Sequence, residues 1–332
     1  MDEIMVSICC LVYNHEKYLR KCLDGFIMQK TNFKYEMLIH DDASTDGSAD
    51  IIREYEAKYP DIIKPIYQTE NQYSKGVKIS WKYQYPRAKG KYIALCEGDD
   101  YWTSKYKIQR QFDYMESHPE MGLCVHQVAR YDEMSNCYSL QTDHSSDKDY
   151  TVDEVILGGG GLFGTNSIFL RTRNLLAMPS CFDNKYMEDF QLVLYSTICG
   201  GCHYFRDVLS VYRTGVVGSF TDRHKNNIDM QIGFCKEKLR MLSEIDQYYH
   251  YKYSDSLNKN ASVTQHYLNL YLEEKAGKAS ADDKPITISF KERIKKRFPD
   301  LVLVHSLLKS IRIKRLIKRG NRIPINMIME VK

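Results

Sequence analysis

The chain is 332 residues long, with a formal net charge of +4 and 27% charged residues. That balance excludes a disordered chain and a generally basic nucleic-acid binder, and it leaves room for two domains or one large domain with an appendage. The charge-free stretch Val155–Leu170 contains five glycines and is shorter than the roughly 20 apolar residues a membrane span needs.

Strand and helix patterns alternate over the first hundred residues. Val6–Tyr13 (VSICCLVY) is apolar and β-branched, as a strand buried on both faces should be. Glu16–Met28 then places Leu19, Cys22, Leu23, Phe26 and Ile27 on one helical stripe. Tyr35–His40 reads as a second strand, followed by a helix over Ala49–Tyr59 with Thr45 and Asp46 placed to cap it. Ile62–Gln68 resembles a strand whose Pro65 fits an edge or an irregular end. Tyr92–Cys96 is the next strand and Lys105–His118 the next helix. A βαβαβ series of this kind predicts an α/β fold with a doubly wound, mostly parallel sheet.

The middle of the chain is less regular. Residues 131–153 read as a polar loop, and Gly158–Gly161 form a four-glycine run. A strand is expected over Asn166–Arg171, a helix over Glu188–Ile198 and a strand over His203–Arg213. Residues 227–275 read as two Tyr-rich helices. The opening Met1-Asp2-Glu3-Ile4 carries acid and runs into a strand, so no secretory signal is expected. Ten scattered cysteines, several inside apolar runs, suit free thiols in a reduced, cytoplasmic protein. Cys199-Gly-Gly-Cys202 with His203 matches half a zinc or redox site, but no second CxxC or HxxxH follows, which favours a structural reading.

In open α/β sheets ligands bind beyond the carboxyl ends of the strands. Here the first strand runs into Tyr13-Asn14-His15, the second into Asp41-Asp42-Ala43-Ser44-Thr45-Asp46, and the last into Glu97-Gly98-Asp99-Asp100-Tyr101-Trp102. Two acidic clusters on one rim repel unless a cation or donors compensate, and hard oxygen ligands point to Mg²⁺ or Mn²⁺.

The segments VSICCLVYNHEKYL, LIHDDASTDGSADII and KGKYIALCEGDDYW together resemble the nucleotide-binding half of a family 2 inverting glycosyltransferase of the GT-A fold. The likeness is strong over residues 4–118 and continues more weakly to about residue 220. It implies a GT-A domain over 1–222, with a nucleotide-binding half at 1–118 and an acceptor half at 119–222, then a helical extension at 223–287 and a basic amphipathic tail at 288–332. By resemblance, Tyr13 and Asn14 lie along the nucleotide base and Asp42 accepts a hydrogen bond from it, which favours uracil because its N3–H is a donor. Glu97 stands at the first position of the DxD motif, where most relatives have Asp, and faces the ribose. Asp99 holds the metal, with Asp100 behind it. Tyr101 and Trp102 lie near the acceptor. Met187-Glu188-Asp189-Phe190 resembles the family's Glu-Asp motif, so Asp189 is the expected base and Glu188 the fallback. Arg213, in a segment resembling the loop over the diphosphate, neutralises phosphate.

Residues 288–320 carry 11 Lys or Arg against Glu292 and Asp300, so the last 45 residues hold a net charge of +10 and the first 287 a net charge of −6. The cations are interleaved with Leu, Val and Ile and only Phe290 and Phe298 are aromatic, a pattern suited to an anionic membrane surface rather than nucleic acid. The expectation is a metal-dependent transferase, cytoplasmic or peripheral on the inner face of the membrane. It would move a sugar from a UDP-linked donor to a glycan or lipid-linked acceptor in polysaccharide biosynthesis. Two alternatives stand beside it. One is a non-catalytic, membrane-docked assembly partner that keeps the nucleotide pocket. The other is a sugar-phosphate nucleotidyltransferase, for which Tyr13-Asn14-His15-Glu16 lacks the Gly-rich basic signature.

Overall fold

The computed structural model describes residues 3–277 apart from 143, 185, 217 and 226. Its first half contains β1 (Ile4–Val12), α1 (Glu16–Ile27), β2 (Lys34–Asp41), α2 (Ser48–Lys58), β3 (Ile66–Tyr67), β4 (Tyr92–Leu95), β5 (Tyr101–Trp102) and α3 (Lys107–Ser117). Then follow β6 (Leu123–Asp132), β7 (Cys137–Leu140), β8 (Lys148–Tyr150), α4 (Val152–Gly158), β9 (Phe169–Arg171), α5 (Thr172–Leu176), α6 (Glu188–Gly200) and β10 (Cys202–Thr214). The helices α7 (Phe220–Lys225), α8 (Ile228–Tyr248) and α9 (Ser254–Lys275) complete the described chain. The basic segment 288–320, for which a membrane surface was expected, lies outside the described residues.

The strands form one sheet in the order β3-β2-β1-β4-β9-β6-β10-β5, with β7 paired to β6 and β8 to β10. The β3-β2-β1-β4 half is parallel. The other half is mixed, because β9 runs antiparallel between β4 and β6 while β10 is parallel to β6 and antiparallel to β5. The sheet is therefore less parallel than the first hundred residues suggest. The segment expected as loop at 131–153 supplies β7 and β8. Ile62–Gln68 shortens to the two residues of β3, in keeping with the missing N–H of Pro65 at an edge.

Alternation along β1 explains its burial on both faces. Val6, Ile8, Cys10 and Val12 pack with Leu19, Leu23, Phe26 and Ile52 of α1 and α2. Cys9 points the other way, into the cluster that holds Leu192 and Leu194 of α6 and Leu242 of α8. The sheet is thus sandwiched between layers, and α6 is buried along most of its length. All ten cysteines are free thiols. No helix among the described residues is long and apolar enough to cross a membrane.

Candidate active site

The carboxyl ends of β1 and β2 are pinned to one another by side chains from the loops that follow them. Asn14, with φ of 56°, turns the chain after β1 through a left-handed conformation that Asn tolerates. Its backbone N–H donates to Ser44 Oγ at 2.9 Å and its Oδ1 accepts from the Thr45 N–H at 2.7 Å. The backbone N–H of Glu16 donates to Asp46 at 3.0 Å, and the Gly47 N–H donates to Glu16 at 3.0 Å. Asn14 is therefore a bracket between two loops, while the neighbouring Tyr13 ring is 38% exposed and open to a ligand.

Asp42 is buried, and its two carboxylate oxygens accept the backbone N–H groups of Gln72 at 2.8 Å and Tyr73 at 3.0 Å. These bonds fix the carboxylate, and each oxygen keeps a further lone pair for a donor. The segment 72–87 that supplies them was not singled out in the sequence.

Beyond β4 the chain carries Glu97, Asp99 and Asp100. The Gly98 N–H donates to Leu11 O at 2.9 Å, which holds this acidic loop against the end of β1. Behind it lies His15, whose Nδ1 is buried without a hydrogen-bond partner and whose pKa burial pushes down. Asp100 accepts the Arg213 N–H at 2.7 Å through Oδ1, and its buried Oδ2 has no partner.

Opposite stand the two carboxylates that open α6. Glu188 accepts a 2.6 Å hydrogen bond from the Tyr85 hydroxyl. Asp189 folds back onto the start of its own helix, with Oδ1 accepting the Phe190 N–H at 2.8 Å. The two acidic groups converge. Burial, then repulsion from Asp99, Asp189 and Glu188, pushes the Glu97 carboxyl up to about 8. Burial, with Glu188 adding to it, raises Asp189 to about 6. Burial raises Glu188 as well, and burial with the Asp99 charge raises Asp100. Concentrated negative charge of this kind calls for a cation or for donors from a ligand.

Among the described residues no three His, Cys, Asp or Glu side chains converge as a ready-made metal cage. The residues present still fit a hard cation held by few protein ligands. Asp100 has an unpartnered buried oxygen and stands next to Asp99, and its own carboxyl, like that of Glu97, is raised. A Mg²⁺ ion typically takes only one or two carboxylates and fills its shell with phosphate and water.

Three expected residues are placed differently from the sequence reading. Tyr101 and Trp102 were expected beside the acceptor, but they are only 3% and 2% exposed. Trp102 Nε1–H donates to Asn166 O at 3.2 Å, its ring meets Phe26 edge-on at 4.6 Å, and the Lys107 ammonium lies 4.0 Å from its centroid. Neither ring has a free face for a sugar, because β5 is drawn into the sheet beside β10. Arg213 was expected to meet phosphate. Its guanidinium instead donates to the backbone carbonyl of Asp99, pairs with Glu133 at 3.2 Å, and lies over Tyr18 and Tyr101 at 4.8 and 4.7 Å. It braces the acidic loop.

A model of the glycosyl transferase family 2 domain matches residues 7–177, about half of the chain. The uncharacterized protein Rv1520 of Mycobacterium tuberculosis is 36% identical over 227 residues, which are 66% of this chain and 63% of that protein. Among solved structures, S. aureus TarS 1-349 in complex with UDP-GlcNAc superposes with a TM-score of 0.55 at 14% identity, covering 98% of this chain and 89% of that one. The mannosyltransferase PcManGT from Pyrobaculum calidifontis, in complex with GDP-Man and Mn²⁺, gives a TM-score of 0.55 at 14% identity over 94% of this chain and 88% of that one. These likenesses show the GT-A fold. The acidic loop after β4 falls within the span of the family match, and the chain belongs to glycosyl transferase family 2.

Proposed function

We propose that this chain is a metal-dependent inverting glycosyltransferase that moves a sugar from a UDP-linked donor to a glycan or lipid-linked acceptor in polysaccharide assembly. The observation that carries the reading is the approach of Asp99, Asp189 and Glu188 to Glu97, whose carboxyl is raised to about 8 by burial and then by their charges, while burial and Glu188 raise Asp189 to about 6. Two sequence segments about ninety residues apart supply the two sides. That arrangement suits a donor diphosphate on one side and an acceptor hydroxyl on the other.

In this reading the uracil lies along Tyr13 and Asn14 and donates its N3–H to Asp42, whose carboxylate is already aimed by Gln72 and Tyr73. Glu97 receives a ribose hydroxyl. Asp99, with Asp100 behind it, holds Mg²⁺ or Mn²⁺, which supplies charge neutralisation for the departing diphosphate. Asp189, poised near neutrality, removes the proton of the acceptor hydroxyl as that oxygen attacks the anomeric carbon from the face opposite the diphosphate. Glu188 shares the site and is held by Tyr85. The basic segment 288–320 would keep the enzyme at an anionic membrane surface.

UDP release measured over a panel of UDP-sugars with Mn²⁺ tests the reading. Turnover with one donor, lost in Asp99→Ala and Asp189→Ala, is the expected result. UDP binding with no turnover on any donor would favour a non-catalytic nucleotide-binding partner, and full activity of both variants would overturn the site assignment.

A further inference from the structure

The four glycines at 158–161 lie beside the candidate base. A Cβ placed on Gly160 would come 3.9 Å from Asp189 Oδ1 and 3.5 Å from Phe190 Cβ. One placed on the adjacent Gly159, whose φ of 63° favours glycine, would come 3.9 Å from Lys238 Nζ and 3.9 Å from Asn260 Nδ2. One bare stretch of backbone is therefore bordered by the proposed base on one side and by an α8 ammonium on the other. The turn is anchored at both ends. Asn260 donates to Ile156 O at the end of α4, and Gln141 Nε2 donates to Gly161 O at 2.6 Å.

Lys238 is unusual among the cations near the cleft. Arg213 is paired with Glu133, Lys78 with Asp183, and Arg240 with Glu237 and Glu244. Lys238 is half-buried, and among the described residues neither a carboxylate nor a hydrogen-bond acceptor holds its charge. Burial pushes its pKa down, with only the Cys235 thiol acting in the opposite direction. A cation withdrawn from water without a counter-charge costs free energy that an incoming anion would recover.

We propose that Lys238 and the 158–161 glycine turn form an anion subsite that receives the negatively charged group of an acidic acceptor, a phosphodiester or a uronate carried near the attacking hydroxyl. This rests on the transferase reading above and adds the acceptor's chemical class to it. The glycine turn places no side chain of its own between Asp189 and Lys238. Lys238 offers a point charge with three rotatable donors, suited to either anion.

The test uses the full chain and three probes: a glycerol-phosphate oligomer, an oligogalacturonate and a neutral malto-oligosaccharide, each titrated by calorimetry with and without UDP and Mn²⁺. The expected result is at least about tenfold tighter binding of one acidic oligomer than of the neutral one. Lys238→Met, which keeps the packing of the aliphatic stem, should lose that preference, and Lys238→Arg should keep it. The acidic probe that binds identifies the phosphodiester or the uronate. Equal affinity for acidic and neutral oligomers, or a preference that survives in Lys238→Met, overturns the subsite. UDP affinity, titrated separately, reads the parent proposal: a chain that binds UDP yet treats all three oligomers alike refutes the subsite alone, whereas a chain that binds no UDP refutes the transferase.

Discussion

The hydroxyl of Tyr85 donates a 2.6 Å hydrogen bond to Glu188, joining the irregular segment after β3 to the first turn of α6. Tyr85 is buried, and burial with the neighbouring Glu188 charge pushes its own phenol well above its ordinary pKa, so it remains a donor at any physiological pH. The bond favours the ionised form of Glu188, which in turn raises Asp189.

Tyr85→Phe is therefore expected to lower the pKa of Asp189. Without its donor, Glu188 binds a proton more readily, and the charge that raises Asp189 fades. The acidic limb of the kcat/KM profile should move to lower pH, with a stability loss of about 1 kcal/mol for the missing bond. A limb that stays in place would show that Glu188 and Asp189 titrate independently.

Asp189→Asn removes the proposed base while keeping the hydrogen bond to the Phe190 N–H sterically possible. Transfer should fall by about 10²–10⁴-fold, the range general-base catalysis supplies, with UDP affinity unchanged. In the wild-type enzyme, transfer should decline as pH drops through about 6, where the Asp189 carboxyl takes up its proton. Calorimetric UDP binding and a pH–rate profile check both statements.

The same raised groups fix the sign of stability against pH for the ligand-free protein. Glu97 at about 8 and Asp189 at about 6 lie above their unfolded values near 4. Between about pH 4 and 8 the folded state binds more protons than the unfolded state, so stability through these groups falls as pH rises. Glu97→Gln removes one such group and should raise the melting temperature at pH 8, by about 2–4 °C for each kcal/mol relieved, while weakening UDP binding. Melting curves of both proteins at pH 6 and pH 8 decide it, because the difference between them should shrink at the lower pH.

How much of this was legible in the sequence depends on how far each contact reaches along the chain. β1, α1, β2 and α2 are announced by local periodicity, and the acidic rim follows because Asp41, Asp42, Asp99 and Asp100 stand directly after apolar strands. Tyr101 and Trp102 were misread because an aromatic pair after an acidic loop looks the same whether it faces a ligand or enters the sheet. Only the pairing of β5 with β10, more than a hundred residues later, buries them. The contacts of Arg213 are hidden from the sequence for a related reason, since Glu133 and Tyr18 are distant in sequence. Nothing in the sequence distinguishes Tyr85 from the other 25 tyrosines, or Lys238 from any other helical lysine. Their significance lies in which carboxylate each meets, or fails to meet.

Gly98 tests how tightly the acidic loop is held against β1. A Cβ at this position would stand 2.8 Å from His15 Nδ1, 3.0 Å from Val12 Cγ2 and 3.3 Å from Leu11 O. His15 cannot move far, because its backbone N–H is bound to Ser48 Oγ at 2.8 Å. Gly98→Ala should push the loop away from β1, at a cost of about 1–3 kcal/mol for an overpacked buried site, and displace Glu97 and Asp99 from the donor. Weakened UDP binding together with a lowered melting temperature is the expected pair of results. Unchanged UDP affinity would mean that the loop yields without moving its carboxylates.

Arg213→Met separates bracing from phosphate binding. The guanidinium holds the Asp99 carbonyl and Glu133 while lying over Tyr18 and Tyr101, so a methionine of similar length fills the space but satisfies neither oxygen. Glu133 keeps its ion pair with Lys17 at 3.2 Å, but its other oxygen and the Asp99 carbonyl lose their donor, which should cost about 1–3 kcal/mol. If Arg213 only braces the loop, stability and donor affinity fall together, and UDP and uridine lose affinity by the same factor because neither contact involves the diphosphate. If Arg213 reaches the diphosphate instead, UDP binding falls by a larger factor than uridine binding. Parallel titrations of UDP and uridine against wild type and Arg213→Met distinguish the two, and the guanidinium's existing partners predict equal losses.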